Sequence, residues 1–412
     1  MLAFIRDNAA WLAAGFLLTF TSSYGQTYFI SIFAGEIRAD FGLSHGSWGA
    51  IYALGTLASA ITMLWTGTLA DRFRVRGLAL FVLPFLAAAC LAMAAVPYVW
   101  ALPLVVYALR LGGQGMTTHI AIVAMGRWFV AGRGKALSVA ALGFTIAESL
   151  LPIVFVALMG PVGWRALWVL AAFMVLAVIP VLLILLQRER VPSADAEINI
   201  SAGMDGRHWR RGEMLQHWLF WAMLPLMAGP SACITSLFFH QVHVAEIKEI
   251  SHLAFVAMFP IFTATSVAMM VLSGFALDRF GTARLLPFLP LPIAAGFLVL
   301  GTTGSIAGIA FGMALIGLSM GANSTVPNAF WAEFYGTRNL GAIKSVATAV
   351  MVFGSAVGPV LTGGLIDAGV GFQFQLQMMG VYFLVTAGIV TLAMRRAGRL
   401  LAPAGEVDIV GA

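Results

Sequence analysis

Long apolar runs separated by short polar breaks fill almost the whole chain. A bilayer has a hydrocarbon core about 30 Å thick, so a helix of about 20 residues is needed to cross it. The runs reach that length and are continuously apolar, without the alternation of a β-barrel strand, so the pattern predicts membrane-spanning α-helices. The twelve predicted spans cover approximately residues 9–34, 46–68, 77–97, 101–126, 135–159, 164–187, 215–240, 252–276, 283–302, 305–331, 342–366 and 374–395.

The composition agrees with this pattern. The 412 residues are 61% hydrophobic and 10% charged, and their mean hydropathy is +0.95, whereas soluble domains carry about 25% charged residues. We therefore predict an all-α polytopic membrane protein. The first run is too long for a signal-peptide core and is predicted to remain as helix 1. Cys90 and Cys233 lie inside predicted spans and imply no disulfide framework.

The basic residues sort between the two sides of the predicted membrane. Of the 23 lysines and arginines, 19 lie in one set of alternating breaks and tails, 3 lie in the other set, and Arg110 lies within a span. The positive-inside rule then predicts that both termini are cytoplasmic, in the plasma membrane or bacterial inner membrane. Because these charges are dispersed, the net charge of +6 indicates no nucleic-acid partner. Membrane lipids are the expected surroundings, and we expect a monomer.

An internal repeat organises the twelve spans. The segment 67–73 recurs as 274–280, an offset of 207 residues, and Pro152 corresponds to Pro359. This predicts two six-helix halves in the same orientation, related by an axis along the membrane normal. The predicted segments are an N-terminal half (1–187), a cytoplasmic linker without a packed domain of its own (188–212), a C-terminal half (213–396) and a cytoplasmic tail (397–412).

Three motifs resemble those of the major facilitator superfamily. They are Gly-x-Leu-Ala-Asp-Arg at 67–72, its counterpart at 274–279, and Arg110-x-x-x-Gln114-Gly115 in helix 4. The segments 238–242 and 331–336 are similar to bacterial members of the monocarboxylate-transporter branch. The resemblance implies a carrier, facilitative or coupled to protons or ions, that alternates between inward-open and outward-open states around a central site.

Two charged side chains, Arg110 and Glu148, are predicted deep within spans. A guanidinium in this position marks a functional site by default, because it cannot lose its charge. Counted from the cytoplasmic ends of helices 4 and 5, the two lie at similar depth. We predict that both face one cavity. There Arg110 binds a substrate anion and the Glu148 carboxyl in turn, as that carboxyl takes up and releases a proton. The alternative is a static ion pair that fixes helix 4 against helix 5.

Other polar residues are predicted to line the same cavity. Gln114 and Thr117 follow Arg110 at helical spacing, whereas His119 is predicted to form an interhelical hydrogen bond rather than to carry protons. In helix 1 the polar run includes Tyr24, Gln26 and Tyr28, with helix packing as the alternative. Repeat-related positions of helix 10 carry Asn323 and Asn328.

The branch resemblance also shows what this chain lacks. In animal members of the branch, a lysine in helix 1 and an Asp and Arg in helix 8 bind carboxylates, and these positions fall on Tyr28, Ser266 and Met270 here. Arg110 is therefore the remaining candidate cation for the cavity.

Two further groups are predicted at the ends of the helices. His240 and His243 end helix 7, and we favour a gating or proton-entry role over a metal site, because no further ligand is fixed nearby by the sequence. By resemblance, Asp71 and Asp278 face the N-termini of helices 11 and 5 and act with other charged residues as a cytoplasmic gate. The predicted gate residues are Asp71, Arg72, Arg127, Asp278, Arg279 and Glu333.

These observations favour a secondary active transporter of a small organic solute, an organic anion in the first place, with proton coupling. No enzyme motif, cofactor site or metal site is predicted. The alternative is a proton-coupled antiporter that exports a cationic or amphipathic compound bound by Glu148. A second alternative is a membrane sensor that does not transport.

Overall fold

The computed structural model describes residues 2–129, 132–187 and 201–400, without the side chains of Leu2, Ala3, Asp71 and Arg133. All regular secondary structure in these ranges is helical. In chain order the helices are α1 (residues 9–41), α2 (His45–Thr66), α3 (Val75–Ala95), α4 (residues 102–128), α5 (Arg133–Val162), α6 (Trp164–Leu185), α7 (Trp218–Phe239), α8 (Phe259–Phe280), α9 (Thr282–Thr302), α10 (Ile306–Tyr335), α11 (Leu340–Asp367) and α12 (Phe372–Ala397).

Ten of these helices, as far as the described residues extend, are long and apolar enough to cross a bilayer without interruption. The other two, α1 and α4, have the expected length but are interrupted. The pieces of α1 are Ala9–Thr21, Ser22–Gly25, Thr27–Ile30, Ser31–Phe33 and Ala34–Phe41, and those of α4 are Leu102–Arg110, Leu111–Thr117 and Thr118–Trp128. The predicted twelve-helix, all-α membrane fold is confirmed.

Contacts divide the chain into two compact units that do not follow chain order. Unit 1 comprises 1–196, 235–260 and 356–369, and unit 2 comprises 197–234, 261–355 and 370–412. Three helices, α7, α8 and α11, contribute residues to both units. The segment boundaries drawn from the repeat remain a prediction.

The end of the predicted linker is packed. Residues 188–200 lie outside the described part, but Met204 and Trp209 are buried in the hydrophobic core of unit 2. The Trp209 amide donates to the Tyr335 carbonyl at the end of α10, 3.2 Å away, and its indole Nε1 donates to the Met204 carbonyl, also 3.2 Å away. This stretch forms no separate core but buries its apolar side chains against α10, and the linker boundaries remain a prediction.

Candidate functional site

The break in α1 exposes a backbone carbonyl within the helix bundle of unit 1. A 3₁₀ turn, Ser22–Gly25, ends at Gln26, whose backbone is extended with φ −88° and ψ 153°, and the α-helix resumes at Thr27. The Gly25 carbonyl accepts a hydrogen bond from Arg110 Nη1, 3.2 Å away. An interrupted helix is tolerated at membrane depth where protein groups satisfy its backbone in this way.

Helix α4 widens immediately after Arg110. Residues Leu111–Thr117 form a π-helix, a rare conformation that is frequent at functional sites. The Thr117 hydroxyl donates to the Gly112 carbonyl over 2.6 Å. A Cβ atom built on Gly113 would lie 2.6 Å from the Gly25 Cα. Glycine at both positions therefore lets the backbones of α1 and α4 touch beside Arg110.

The Arg110 side chain has neutral partners. It is 3% exposed. Its Nη1 lies 3.3 Å from the Thr27 hydroxyl in addition to the Gly25 carbonyl, and its Cζ lies 5.3 Å from the centre of the Tyr52 ring. No carboxylate in the described part of the chain forms an ion pair with Arg110, and its Nε has no hydrogen-bond partner there. The guanidinium is thus a buried cation to which the described residues supply no counter-charge.

Glu148 is not ion-paired with Arg110 in this structure. Its carboxylate instead acts electrostatically on the Tyr28 hydroxyl of α1. The Phe144 ring, one turn before Glu148 in α5, packs edge-on against the Tyr28 ring with 5.7 Å between centroids. The static Arg110–Glu148 pair is therefore absent, because similar depth on two helices does not determine the direction in which each side chain leaves its helix.

The predicted polar residues of α1 and α4 divide into two groups. Tyr24 belongs to the aromatic core of unit 1, where its hydroxyl donates to the Met174 sulfur at 3.3 Å and its ring packs on Phe29. Thr117 is satisfied within α4. By contrast, the Gln114 Oε1 atom is buried and has no hydrogen-bond partner among the described residues, and the buried Tyr28 hydroxyl interacts with that of Ser23. Gln26 is also buried, at the break itself.

The two asparagines of helix α10 lie in unit 2 and are described apart from Arg110. Asn328 is exposed and donates to the Ser324 carbonyl one turn earlier, over 2.7 Å. Asn323 is half-buried and lines a small cavity with Ser319 and Phe383. Their proposed role as substrate ligands stays a prediction.

His240 lies at what we call the outer end of unit 1, the end where α1 is followed by α2 and which the loop charges predict to face outside. Its Nε2 lies 3.0 Å from the Thr362 hydroxyl and 3.3 Å from the Pro359 carbonyl, both in α11. The centroid of the His45 ring lies 5.7 Å from that of His240 and 4.4 Å from that of His243. Within the described ranges, no group of three or more His, Cys, Asp or Glu side chains could hold a metal ion.

The predicted cytoplasmic gate is described only in part. The Asp71 side chain lies outside the described residues, and Arg72 is exposed. Arg127 Nη1 donates to the Ala70 carbonyl over 2.9 Å. The exposed residues Asp278, Arg279 and Glu333 form no ion pair among the described residues of unit 2.

The hydrogen bond predicted between His119 and a neighbouring helix is confirmed. The His119 ring forms an interhelical hydrogen bond with the Gly67 carbonyl, 3.1 Å away.

Tyr52 of α2 also belongs to the site, although it was not among the residues predicted from the sequence. Its side chain is fully buried and bridges the Arg110 guanidinium and the Thr27 hydroxyl. A signal was present, since a tyrosine hydroxyl within an apolar span needs a hydrogen-bond partner. Its flanking glycines, Gly49 and Gly55, also indicate that other helices approach α2 closely at this depth.

Comparison with known proteins assigns the chain to a family. Residues 15–359 match the model of the Major Facilitator Superfamily. The structure is similar to that of a bacterial homologue of the human lysosomal transporter Spinster in an inward-facing, unoccupied conformation, with 18% identity, a TM-score of 0.72 and coverage of 96% of this chain and 99% of the other. It is also similar to the nucleoside transporter NupG, with 13% identity, a TM-score of 0.65 and coverage of 95% and 98%.

At such identities, the solved structures show a shared fold alone. No curated protein matches the chain in sequence. The family model covers most of the length, and the chain therefore belongs to the major facilitator superfamily, whose members are membrane transporters.

Proposed function

We propose that the protein carries small organic anions across the membrane and that Arg110 binds the anionic group of the substrate. The observation that carries this proposal is the burial of Arg110 without a carboxylate partner in the described part of the chain. An uncompensated buried charge costs several kcal/mol, and a guanidinium cannot avoid that cost by deprotonation. A substrate carboxylate supplies the missing charge and accepts from Nε as well as Nη.

Unpartnered polar atoms around the break in α1 support the same assignment. The Nε of Arg110 and the Oε1 atom of Gln114 are buried and lack partners among the described residues, and the buried hydroxyls of Ser23 and Tyr28 interact with each other. A buried polar atom without a partner costs about 1–3 kcal/mol, so such atoms indicate groups that are satisfied in another state or by a ligand. Their mixed donors and acceptors suit the polar remainder of a small organic acid.

Proton coupling is assigned to Glu148. This carboxyl lies within a span of unit 1, its charge acts on the hydroxyl of Tyr28, two residues after Gln26, and it forms no ion pair with Arg110. Proton uptake at Glu148 can therefore change the polarity around Tyr28 while Arg110 stays available to an anion. The carrier would work as a monomer in the bacterial inner membrane, with both termini cytoplasmic, as a relative of the monocarboxylate-transporter branch.

The test is substrate binding and uptake by purified protein in proteoliposomes with an imposed pH gradient. We expect proton-driven uptake of at least one of lactate, succinate and benzoate. Loss of one partner of a buried charge pair costs about 2 kcal/mol or more, so Arg110→Gln should weaken anion binding at least about thirtyfold.

Arg165→Gln is the matched control. Arg165 lies in the same unit and pairs with Asp40 at 3.5 Å, but its side chain is 40% exposed. This variant should bind the anion as the wild type does. Equal anion affinity in wild type and Arg110→Gln would overturn the proposal, and export of cationic dyes in place of acid uptake would favour the antiporter.

A further inference from the structure

Tyr52 contacts three separate parts of unit 1. Its ring lies 5.3 Å from the Arg110 guanidinium carbon and 4.8 Å from the Phe239 ring, centre to centre. Its hydroxyl shares a hydrogen bond with the Thr27 hydroxyl just after the break in α1. The side chain is fully buried, so these contacts fix its position. Helices α1, α2, α4 and α7 therefore meet at one tyrosine.

The contact with Phe239 continues to the outer end. Phe239 is the last residue of α7, and its ring packs edge-on against the His240 ring with 5.0 Å between centroids. His240 is 3% exposed and contacts Thr362 and Pro359 of α11. A continuous series of packed side chains thus joins Arg110 to α11 through Tyr52.

Helices α2 and α11 are joined at the outer end by a contact that we call the outer lock, formed by Asp367 with His45 and Gly46 and by Gly49 with Pro359. The Asp367 carboxylate accepts hydrogen bonds from the backbone amides of His45 and Gly46 at 3.1 and 2.7 Å, at the N-terminus of α2. A carboxylate is favoured at that position by the helix dipole. A Cβ on Gly49 would lie 2.8 Å from the Pro359 carbonyl, so the two backbones touch. This contact must break before a path to the outer side can open between α2 and α11.

We propose that Tyr52 is a positioning residue that couples anion occupancy at Arg110 to release of this outer lock. The inference rests on the proposed function, because it requires that Arg110 binds the anion. An aromatic face attracts a cation and repels an anion. An anion that binds Arg110 therefore weakens the hold of the guanidinium on Tyr52, which frees the ring to move away from Phe239 and allows α7 and α11 to leave α2.

A cysteine reporter tests the coupling. Ala245 is 2% exposed and lies in the short helix Gln241–Ile247, which follows His240 directly. The reporter protein carries Ala245→Cys with the two native cysteines, Cys90 and Cys233, replaced by alanine. The rate of labelling by a membrane-impermeant maleimide is measured with and without the tightest binder among lactate, succinate and benzoate, whose affinity is measured for each variant.

We expect the anion to raise the labelling rate severalfold in the reporter protein and to leave it unchanged after Tyr52→Leu. Tyr52→Phe keeps the ring that contacts the guanidinium and should retain most of the anion effect. The matched control is Tyr107→Leu, since Tyr107 bonds Thr62 of α2 from α4 at 3.2 Å, away from the series of contacts. This variant should respond as the reporter protein does.

The outcomes separate the two proposals. If the anion binds in an Arg110-dependent way but Tyr52→Leu keeps the full labelling response, or the reporter protein shows no response, the coupling role is overturned and the proposed function stands. If none of the three acids binds, or binding does not depend on Arg110, the proposed function fails and the coupling role fails with it.

Discussion

At the scale of single residues, the site depends on glycines that permit contact as much as on the arginine. Arg110 reaches the Gly25 carbonyl because α1 and α4 touch at Gly25 and Gly113. The sequence alone shows how deep a residue such as Arg110 lies along its helix, and that a charge at this depth is unusual. The direction of a side chain around the helix axis is not shown by the sequence. The static Arg110–Glu148 ion pair, which was the alternative, is absent from this structure, and Tyr52 was missed for this reason.

The glycine contact predicts a specific steric defect. A Cβ on Gly25 would lie 2.1 Å from the Leu109 carbonyl oxygen and 2.8 Å from the Gly113 Cα, so Gly25→Ala must push α1 and α4 apart. Overpacking of this kind typically costs about 1–3 kcal/mol. We expect a lower thermal unfolding midpoint in detergent and weaker anion binding, because the Gly25 carbonyl moves away from Arg110.

Gly77→Ala is the control for this substitution. Gly77 lies in α3, and nothing lies within 4 Å of a Cβ built there. Alanine is favoured over glycine in a helix by about 1 kcal/mol, so this midpoint should stay the same or rise. An unfolding midpoint and an anion affinity for Gly25→Ala that match those of the control would show that the two helices are not in contact at this point.

At the scale of elements, the break in α1 and the π-helix in α4 were only partly predictable. Polar residues in the middle of helix 1 indicated a segment that does not face lipid, and the structure has a 3₁₀ turn there. The predicted stripe of Arg110, Gln114 and Thr117 assumed an α-helical period, whereas residues Leu111–Thr117 follow the wider π-helical period. Glycine-rich sequences permit both forms, and tertiary contacts such as that with Gly25 decide between them.

The outer end of unit 1 is predicted to be sensitive to pH. Burial is the largest cause that lowers the pKa of His243, and Arg38 lowers it further, while Glu246, 3.5 Å away, acts in the opposite direction. His45 is the neighbouring ring. The folded state thus binds this proton less readily than the unfolded state does, so stability falls as the pH drops through about 6.5 and is kept above it.

The measurement is the thermal unfolding midpoint between about pH 5 and 8, on either side of the ordinary histidine pKa. The wild type should lose more stability on acidification than His243→Gln, which cannot be protonated. Identical pH profiles for wild type and His243→Gln would contradict the assignment.

At the scale of the whole molecule, the sequence was sufficient for the fold and insufficient for the division into units. Twelve apolar runs and two related motifs predicted a twelve-helix transporter, and the family match agrees. The contact-based units instead group the outer ends of α7, α8 and α11 with the first six helices. A repeat in the sequence reports common origin, whereas packing depends on the conformation that the chain adopts.

The π-helix also determines the direction in which the Arg110 side chain points around the axis of α4. The i→i+5 hydrogen bonds of a π-helix span one more residue than the i→i+4 bonds of an α-helix, so deletion of one residue can return the segment to the α form. In an α-helix one residue corresponds to a rotation of about 100°. Deletion of Gly112 should therefore turn Arg110 away from Gly25 and Tyr52 relative to the rest of α4, and abolish anion binding in an otherwise helical protein, as circular dichroism and binding measurements can establish. On this view, a single residue of α4 sets the direction in which the only arginine within its apolar stretch points.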